Sequence, residues 1–583
     1  MKISPAKTIS ITGLFVIFII LIIMHNGDKK IFDKIRESYL NWYFQSNPVT
    51  ATWIGIHTYD AKLPFNRMED YVQDMNKTES FLNQLKNVNP EFLNKDDQVD
   101  YDMMVHSLNE NIFHFKKIKS YTWNPMEPVW TLGSGYETLM GYEFAPKEER
   151  AISLNGRIGA TPEFLKNAQA ILEIMPVPHI KTAISQCDGL ISVIEDELPL
   201  FIEDLNLELA ENLKHSGKKA SEAIKKYKNY LSEKLESGPH RDFRLGKELY
   251  SQLLPFTLNE GISADEVLNR SRSELKSVQL EMLDIAVPLC EKIFGYSPDI
   301  RSHDDHLNVI EKVLGSIADD HVERHEVVES ARATIDELNQ FIMDKDLLTL
   351  DPSKPLEIRE TPEYQRGFSI ASLQAPGTLE DNLQTYYNVS PIPKDWSDKK
   401  AESFLREYNR ISVKILSIHE ALPGHYVQLY YANRHPSIIR SVLGSGVMVE
   451  GWAHYTERMM IEEGFGDGDP RYKLVQMKWK LRGIANAIID QKIHAGKMTE
   501  DEAMDLMVKE TFQEEAEASA KWRRAQLSFG QLSTYFVGST LMWDLKRDVE
   551  EKWESNFNLK KFHEELLSHG SIPIRHLRWL MLD

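Results

Sequence analysis

Past residue 30, apolar positions recur at intervals of three and four over most of the chain, with Leu, Glu and Lys prominent throughout. That spacing places apolar side chains on one face of an α-helix, so the pattern predicts a mainly helical protein. Some helix starts are legible. Ser263-Ala264-Asp265-Glu266 is a capping-box pattern ahead of Val267, Leu268 and Leu275. Thr161-Pro162-Glu163 reads as another start, with Thr at the N-cap and Pro in the first helical position. The Lys- and Glu-rich stretch 206–236 predicts a long solvated helix or helix pair. Pro- and Gly-containing breaks fall at 291–304 and 350–366. Residues 367–391 depart from the helical period, and Leu383–Val389 predicts a short strand. The shift near 350–366 suggests two helical lobes, 31–355 and 356–583, after an N-terminal segment 1–30.

That segment has its own pattern. Ile9–Met24 carries no charge, and Lys2 and Lys7 precede it. As a helix it spans about 24 Å, short of a hydrocarbon core of about 30 Å, and the Met1–Thr8 flank with a snorkelling Lys7 can extend it. His25-Asn26-Gly27-Asp28 offers no small-residue cleavage site, and no Cys follows to carry a lipid. The expectation is an uncleaved, single-pass transmembrane signal-anchor. The body would then lie outside the cytoplasm, in the periplasm or at the cell surface.

Composition narrows the function. Across 583 residues there are 68 Lys and Arg against 88 Asp and Glu, a net charge of −20. Phosphate binding needs a basic face, so nucleic acid is not the expected partner. Hydrophobic residues make up 42%, enough for a large buried core. Cys187 and Cys290 are the only cysteines, which excludes a thiolate metal framework and reads as two buried thiols.

Candidate chemistry therefore rests on His and carboxylate. Ser417–Gln428 contains His419-Glu420, then Pro423-Gly424, then His425. In the zinc-protease pattern H-E-x-x-H, two His at i and i+4 share a helix face and the Glu is general base. Here the second His is at i+6, about 240° away on an ideal helix. The two rings can converge only if the helix breaks at 422–424, where Pro and Gly stand. Two other His pairs compete. His563 and His569 have the same spacing but no Pro-Gly, and read as a surface helix; His321 and His325 read as a solvated helix face. A third ligand favours 419–425. Glu450, His454 and Glu457 fall at i, i+4 and i+7 on one helix face, preceded by Gly444 and Gly446. A catalytic zinc takes three protein ligands and keeps one position open, so His419, His425 and Glu450 suffice. Glu457 then suits the role of holding a ligand His by its other ring nitrogen.

These residues carry a resemblance. From about residue 36 to the end, the chain is similar to the bacterial "domain of unknown function 885" family, placed among gluzincin-like zinc metallopeptidases. His419-Glu420-Ala421-Leu422-Pro423-Gly424-His425 with Gln428 is the most specific match. Glu450-Gly451-Trp452-Ala453 with Tyr455 and Glu457 continues it, and late blocks add Asp490 with His494, and Gly530-Gln531 with Tyr535 and Gly538. Departures fall at His454, where the family often has an aliphatic residue, and at Asn486, where it has Arg. The resemblance implies a mainly helical, two-lobed metallopeptidase body with a small sheet beside the active-site helix.

The expected function is a zinc-dependent hydrolase of peptides or small amides. His419, His425 and Glu450 would hold Zn2+, and Glu420 would take the proton of water. Tyr535 first, and His494 second, would donate to the carbonyl oxygen. Glu457, His454 and Asp490 would stand behind the ligands, with His454 a possible extra ligand. The strand at 383–389 would add a peptide edge-on. The alternatives are a membrane-tethered, catalytically inactive binding protein that keeps the metal, and a helical scaffold without one.

Overall fold

In the computed structural model, α1 (Ile11–Ser46) opens the chain. The described residues are 11–583 without 352–355, 362–370, 381–382 and 394–395, and for 11–26 the backbone alone. The apolar run Ile9–Met24 therefore lies outside the described residues at its start and outside the described side chains beyond it. Among the described residues no helix is long and apolar enough to cross a membrane. The second half of α1 belongs to the body: Phe32, Ile35 and Tyr39, at i, i+3 and i+7, are buried.

The chain is mainly helical, and local signals explain much of it. Helix α2 (Lys147–Ile171) runs straight through Pro162, so Thr161 is not its N-cap. Thr161 is buried instead, and its hydroxyl donates to the Arg157 carbonyl. The missing Pro N–H is tolerated because Ile158, Phe164 and Leu165 bury the helix on both sides of it. The 206–236 stretch is one helix, α3 (Leu207–Ser237), whose stripe Leu213, Ala220, Ile224, Tyr227 and Leu231 is buried rather than solvated. At the head of α4 (Ala264–Phe294), Ser263 and Glu266 form the expected capping box, with Ser263 N donating to Glu266 Oε2 at 2.8 Å. Cys187 and Cys290 are free and buried.

Three short strands follow, β1 (Glu357–Glu360), β2 (Ala371–Gln374) and β3 (Tyr386–Val389). Their order is β1-β3-β2, with β3 parallel to β1 and antiparallel to β2. The predicted strand starts three residues late and is central. Its backbone groups are spent on both neighbours, so β3 offers no edge for a peptide. Tyr387 is buried, with its hydroxyl 3.4 Å from Ser417 Oγ in the helix Arg410–Glu420. The sheet therefore backs that helix. The lobe division expected at 355/356 falls just before β1, and the largest apolar cluster crosses it, from Phe32 to Met581; a second cluster spans Val129 to Leu231.

Helices α5 (Arg410–Glu420), α6 (His425–Ala432), α7 (Gly446–Glu462), α8 (Pro470–His494) and α9 (Gln531–Trp553) form the C-terminal core. α8 is buried almost all round, and its buried positions include polar residues such as Gln476, Lys478 and Asp490 as well as apolar ones. α7 and α9 touch backbone to backbone: a Cβ on Gly451 would meet Gly538 C at 2.6 Å, and one on Gly538 would meet the Val447 carbonyl at 2.2 Å. Gly538→Ala is expected to force the helices apart and destabilise the fold by about 3 kcal/mol, read as a lowered midpoint in urea unfolding.

The competing His pairs are resolved by burial and loop geometry. His321 and His325 lie in the loop between helices His303–Ala318 and Val327–Asp344, so they share no helix face. His563, in α10 (Leu559–Ser568), is not on a surface face. It is buried, with Nε2 2.8 Å from the Tyr455 hydroxyl and Nδ1 2.9 Å from the Leu347 carbonyl.

Candidate metal centre

Asn409 caps α5, accepting from Ile411 N and Ser412 N. Ile411, Ile415 and Ile418 bury one face of the helix, and it ends at Glu420. The Leu422–Pro423 peptide is cis, Gly424 N donates to the Ile418 carbonyl at 2.9 Å, and α6 starts at His425. The break required at 422–424 is present. Glycine is required at 424 by space: a Cβ there would lie 1.8 Å from the His419 carbonyl oxygen. Trp452 Nε1 donates to the Pro423 carbonyl at 2.9 Å and ties this link to α7.

The consequence is convergence. The His419 and His425 rings meet edge to face, 4.8 Å between centroids. His419 Nε2 lies 3.6 Å and His425 Nε2 3.7 Å from Glu450 Oε2. These separations are too long for hydrogen bonds, and they match the spacing of about 3.3 Å between two ligands around a tetrahedral ion with bonds of about 2.0 Å. Glu450 Oε2 is buried and has no hydrogen-bond partner among the described residues. An orphaned carboxylate oxygen facing two imidazole nitrogens is a donor set that fits a divalent cation such as zinc.

The ligands are held from behind. His419 Nδ1 donates to Glu457 Oε1 at 2.7 Å, which turns its Nε2 towards Glu450, where a bound cation would displace the ring's second proton. His454 Nδ1 lies 2.9 Å from the same Glu457 oxygen. His419, His454 and Glu457 are thus also close enough to surround an ion. However, 2.7 and 2.9 Å are hydrogen-bond lengths, shorter than ligand separations on a metal. Glu457, fully buried, anchors two histidines, and His454 is a support rather than a ligand.

The charges are strongly coupled. Burial raises the Glu450 and Glu457 carboxyls, but the histidines around them outweigh it and hold both at about 2. Burial lowers His419, yet Glu450 and Glu457 hold it well above the ordinary histidine value. His425 is pushed down to about 4, by burial first and by His419 second. It is therefore neutral near pH 7, as a metal ligand must be. Glu420 keeps part of its surface open, while the surrounding protein pushes its carboxyl up to about 7.

The two donor candidates separate. Tyr535 stands edge-on to His454, 5.7 Å between centroids, because His454 and Tyr535 each lie one turn from the Gly451–Gly538 crossing. Its hydroxyl accepts from Arg524 Nη2 at 2.9 Å and Gln531 Nε2 at 3.3 Å, so its own proton is free to donate. Arg524 carries no motif that marks it for this role in the sequence, and Gln531, though part of the Gly530-Gln531 block, has no role assigned there. His494 does not fit the donor role. It is buried, stacked on Tyr250, with Nε2 2.8 Å from the Ala525 carbonyl and 2.9 Å from that of Ser528. Asp490 is likewise structural rather than a support for a ligand: it accepts from Gly530 N and Ser533 Oγ, pinning the start of α9.

A helical body with a buried cluster of two histidines and a carboxylate at a broken helix is the class defined by fold and site. The chain belongs to the family described as "bacterial protein of unknown function (DUF885)", which matches residues 48–581. Two solved structures are similar. One, described as "a putative lipoprotein of unknown function from Shewanella oneidensis", is 35% identical, with a TM-score of 0.82, covering 95% of this chain and 100% of that one. The other, "the putative lipoprotein from Colwellia psychrerythraea", is 17% identical with a TM-score of 0.77 over 95% and 98%, and shares the fold. No curated protein matches the chain.

Proposed function

We propose that the protein is a zinc-dependent hydrolase of the gluzincin-like kind, acting on peptides or small amides. The observation that carries this reading is the convergence of His419 Nε2, His425 Nε2 and, unpartnered among the described residues, Glu450 Oε2, with the Glu420 carboxyl next in sequence to His419. Zinc held by these three residues supplies Lewis acidity to water and to a carbonyl oxygen. Glu420 takes the proton from the attacking water and passes it to the departing amine. Tyr535 donates to the oxygen on which charge develops, its hydroxyl oriented by Arg524 and Gln531. Glu457 keeps His419 in the tautomer that binds through Nε2. A metal-keeping protein without turnover would not need a carboxylate at 420, which favours the enzyme over the binding protein.

The N-terminal apolar segment supports a tether with the body outside the cytoplasm, and both similar structures are described as lipoproteins. The first Cys of this chain is Cys187, far beyond that segment, so its own tether would be the helix itself.

The test is digestion of a peptide mixture read by mass spectrometry, with and without chelator. Chelator-sensitive cleavage is expected; cleavage that persists unchanged in chelator sinks the metal mechanism. Elemental analysis should give about one zinc per chain, lost in a His419→Ala/His425→Ala variant. No metal in the wild-type protein would leave the scaffold reading standing.

A further inference from the structure

Beside the cluster, α4, α7, α8 and α9 enclose a cavity of about 270 Å3. His454 and Tyr535 form part of its wall, so it reaches the residues that back the candidate centre. A second space of about 240 Å3 continues it along α4, α7 and α8, sharing Arg458, Gln476 and Lys480.

The lining is cationic in an acidic protein. Arg270, Arg458, Lys480 and Arg547 face only Glu274 and Asp544 in the first cavity, four positive charges against two negative, where the whole chain carries −20. The two carboxylates are shared. Glu274 takes Lys480 at 3.2 Å and Arg270 at 3.4 Å; Asp544 takes Arg270 and Arg547, each at 2.9 Å. Arg458 lies over the Trp543 ring at 4.2 Å and reaches out to Glu462 in the neighbouring space. With Glu462 for Arg458 and Asp548 also near Arg547, the four cations share four acids, and their many N–H groups still leave donor capacity unspent.

A second observation is independent of charge. Gln476 is only 5% exposed, lines both spaces, and makes no hydrogen bond among the described residues. Its amide atoms open onto the two spaces rather than being sealed in the core, so a ligand there can take the hydrogen bonds that the protein does not. An amide beside an ammonium and two guanidinium groups is a donor set for a planar anion.

We propose that this cavity is a subsite for a carboxylate of the substrate, held by Lys480, Arg458 and the Gln476 amide. The proposal rests on the peptide-hydrolase reading, because a carboxylate is the anion a peptide carries, at its C-terminus or on Asp and Glu. It makes the enzyme selective for acidic or free-ended peptides despite its acidic surface.

The test measures binding rather than turnover, by calorimetry on full-length Glu420→Gln protein. The probes are Ac-Ala-Ala-Ala with a free or amidated C-terminus, and amidated Ac-Ala-Asp-Ala against Ac-Ala-Asn-Ala. One acid should bind about tenfold tighter than its neutral twin, the worth of a charge-assisted contact. The first pair reports a terminal carboxylate and the second a side chain. Lys480→Met and Gln476→Leu should each reduce the preference, Lys480→Met/Arg458→Met should abolish it, and Lys218→Met, at a distant surface, should not change it. Lys480 is partly exposed, so its variants are expected to fold, with circular dichroism as the check. Equal binding of acid and neutral twin in both pairs overturns the proposal. So does a preference that survives Lys480→Met/Arg458→Met, which would place the carboxylate on the metal-binding residues instead. The hydrolase reading is judged separately, by wild-type turnover: absent cleavage with an intact acid preference would remove the reaction and leave the anion site.

Discussion

Glu420→Gln is expected to abolish chelator-sensitive peptide cleavage while leaving metal content unchanged. The substitution keeps shape and hydrogen-bonding capacity but removes the proton acceptor. General-base assistance contributes about a hundredfold to ten-thousandfold, so turnover should fall by about a thousandfold. Zinc content should stay at the wild-type level, because the proposed ligands of the ion are His419, His425 and Glu450 and not Glu420. The split between the two readouts matters: a structural role for Glu420 would lower both together. Full activity in the Gln variant would remove Glu420 as base. Loss of metal along with activity would instead make it a ligand.

Gly424→Ala should also have a large effect, by a different route. A single methyl group would sit 1.8 Å from the His419 carbonyl and 2.3 Å from that of Ile418, both main-chain atoms at the end of α5. Backbone cannot yield as a side-chain tip can, so the link 421–424 must move by an ångström or more. It carries His425 with it, while His419 stays pinned to Glu457. A misplacement of about 1 Å in a preorganised site costs about a hundredfold. Zinc affinity is therefore expected to drop by at least about that factor, with stability falling by about 1–3 kcal/mol. Gly159→Ala is the control: Gly159 lies within α2 with nothing within 4 Å of a built Cβ, and the change should be neutral or stabilising by about 0.5–1 kcal/mol. Competition with a chromophoric chelator reads the first effect and thermal unfolding the second. Wild-type zinc affinity in Gly424→Ala would mean that the break does not position His425.

The candidate metal cluster was legible in the sequence to an unusual depth because most of it is local. Whether a helix can bring residues i and i+6 together is a question about two turns of backbone, and Pro423-Gly424 answers it. Glu450, His454 and Glu457 share a face because of helical period alone. The Ser263–Glu266 capping box is similarly a matter of four residues. Errors arose where a local signal competed with burial. Thr161-Pro162 has the form of a helix start, yet packing on both flanks carries α2 through it. Leu383–Val389 has strand composition, but composition does not say whether a strand is central or at an edge. The His563 pair has the spacing of the metal motif and a helical setting, and only its contacts with Tyr455 and Leu347 show that it is core.

The sequence by itself determined the helical class, the break at 422–424, and, through the scarcity of cysteine, that any metal ligands would be His and carboxylate. Tertiary structure decided the rest. It chose 419–425 over two rival His pairs, placed Tyr535 by His454 and sent His494 to a pair of backbone carbonyls. It also gathered Arg270, Arg458, Lys480 and Arg547 around one cavity in a chain of net charge −20. The physical reason is one of range. Backbone period and steric exclusion act over a few residues and can be read along the chain. The distance between α7 and α9 is set by two glycines 87 positions apart, Gly451 and Gly538, whose mutual approach no local pattern encodes.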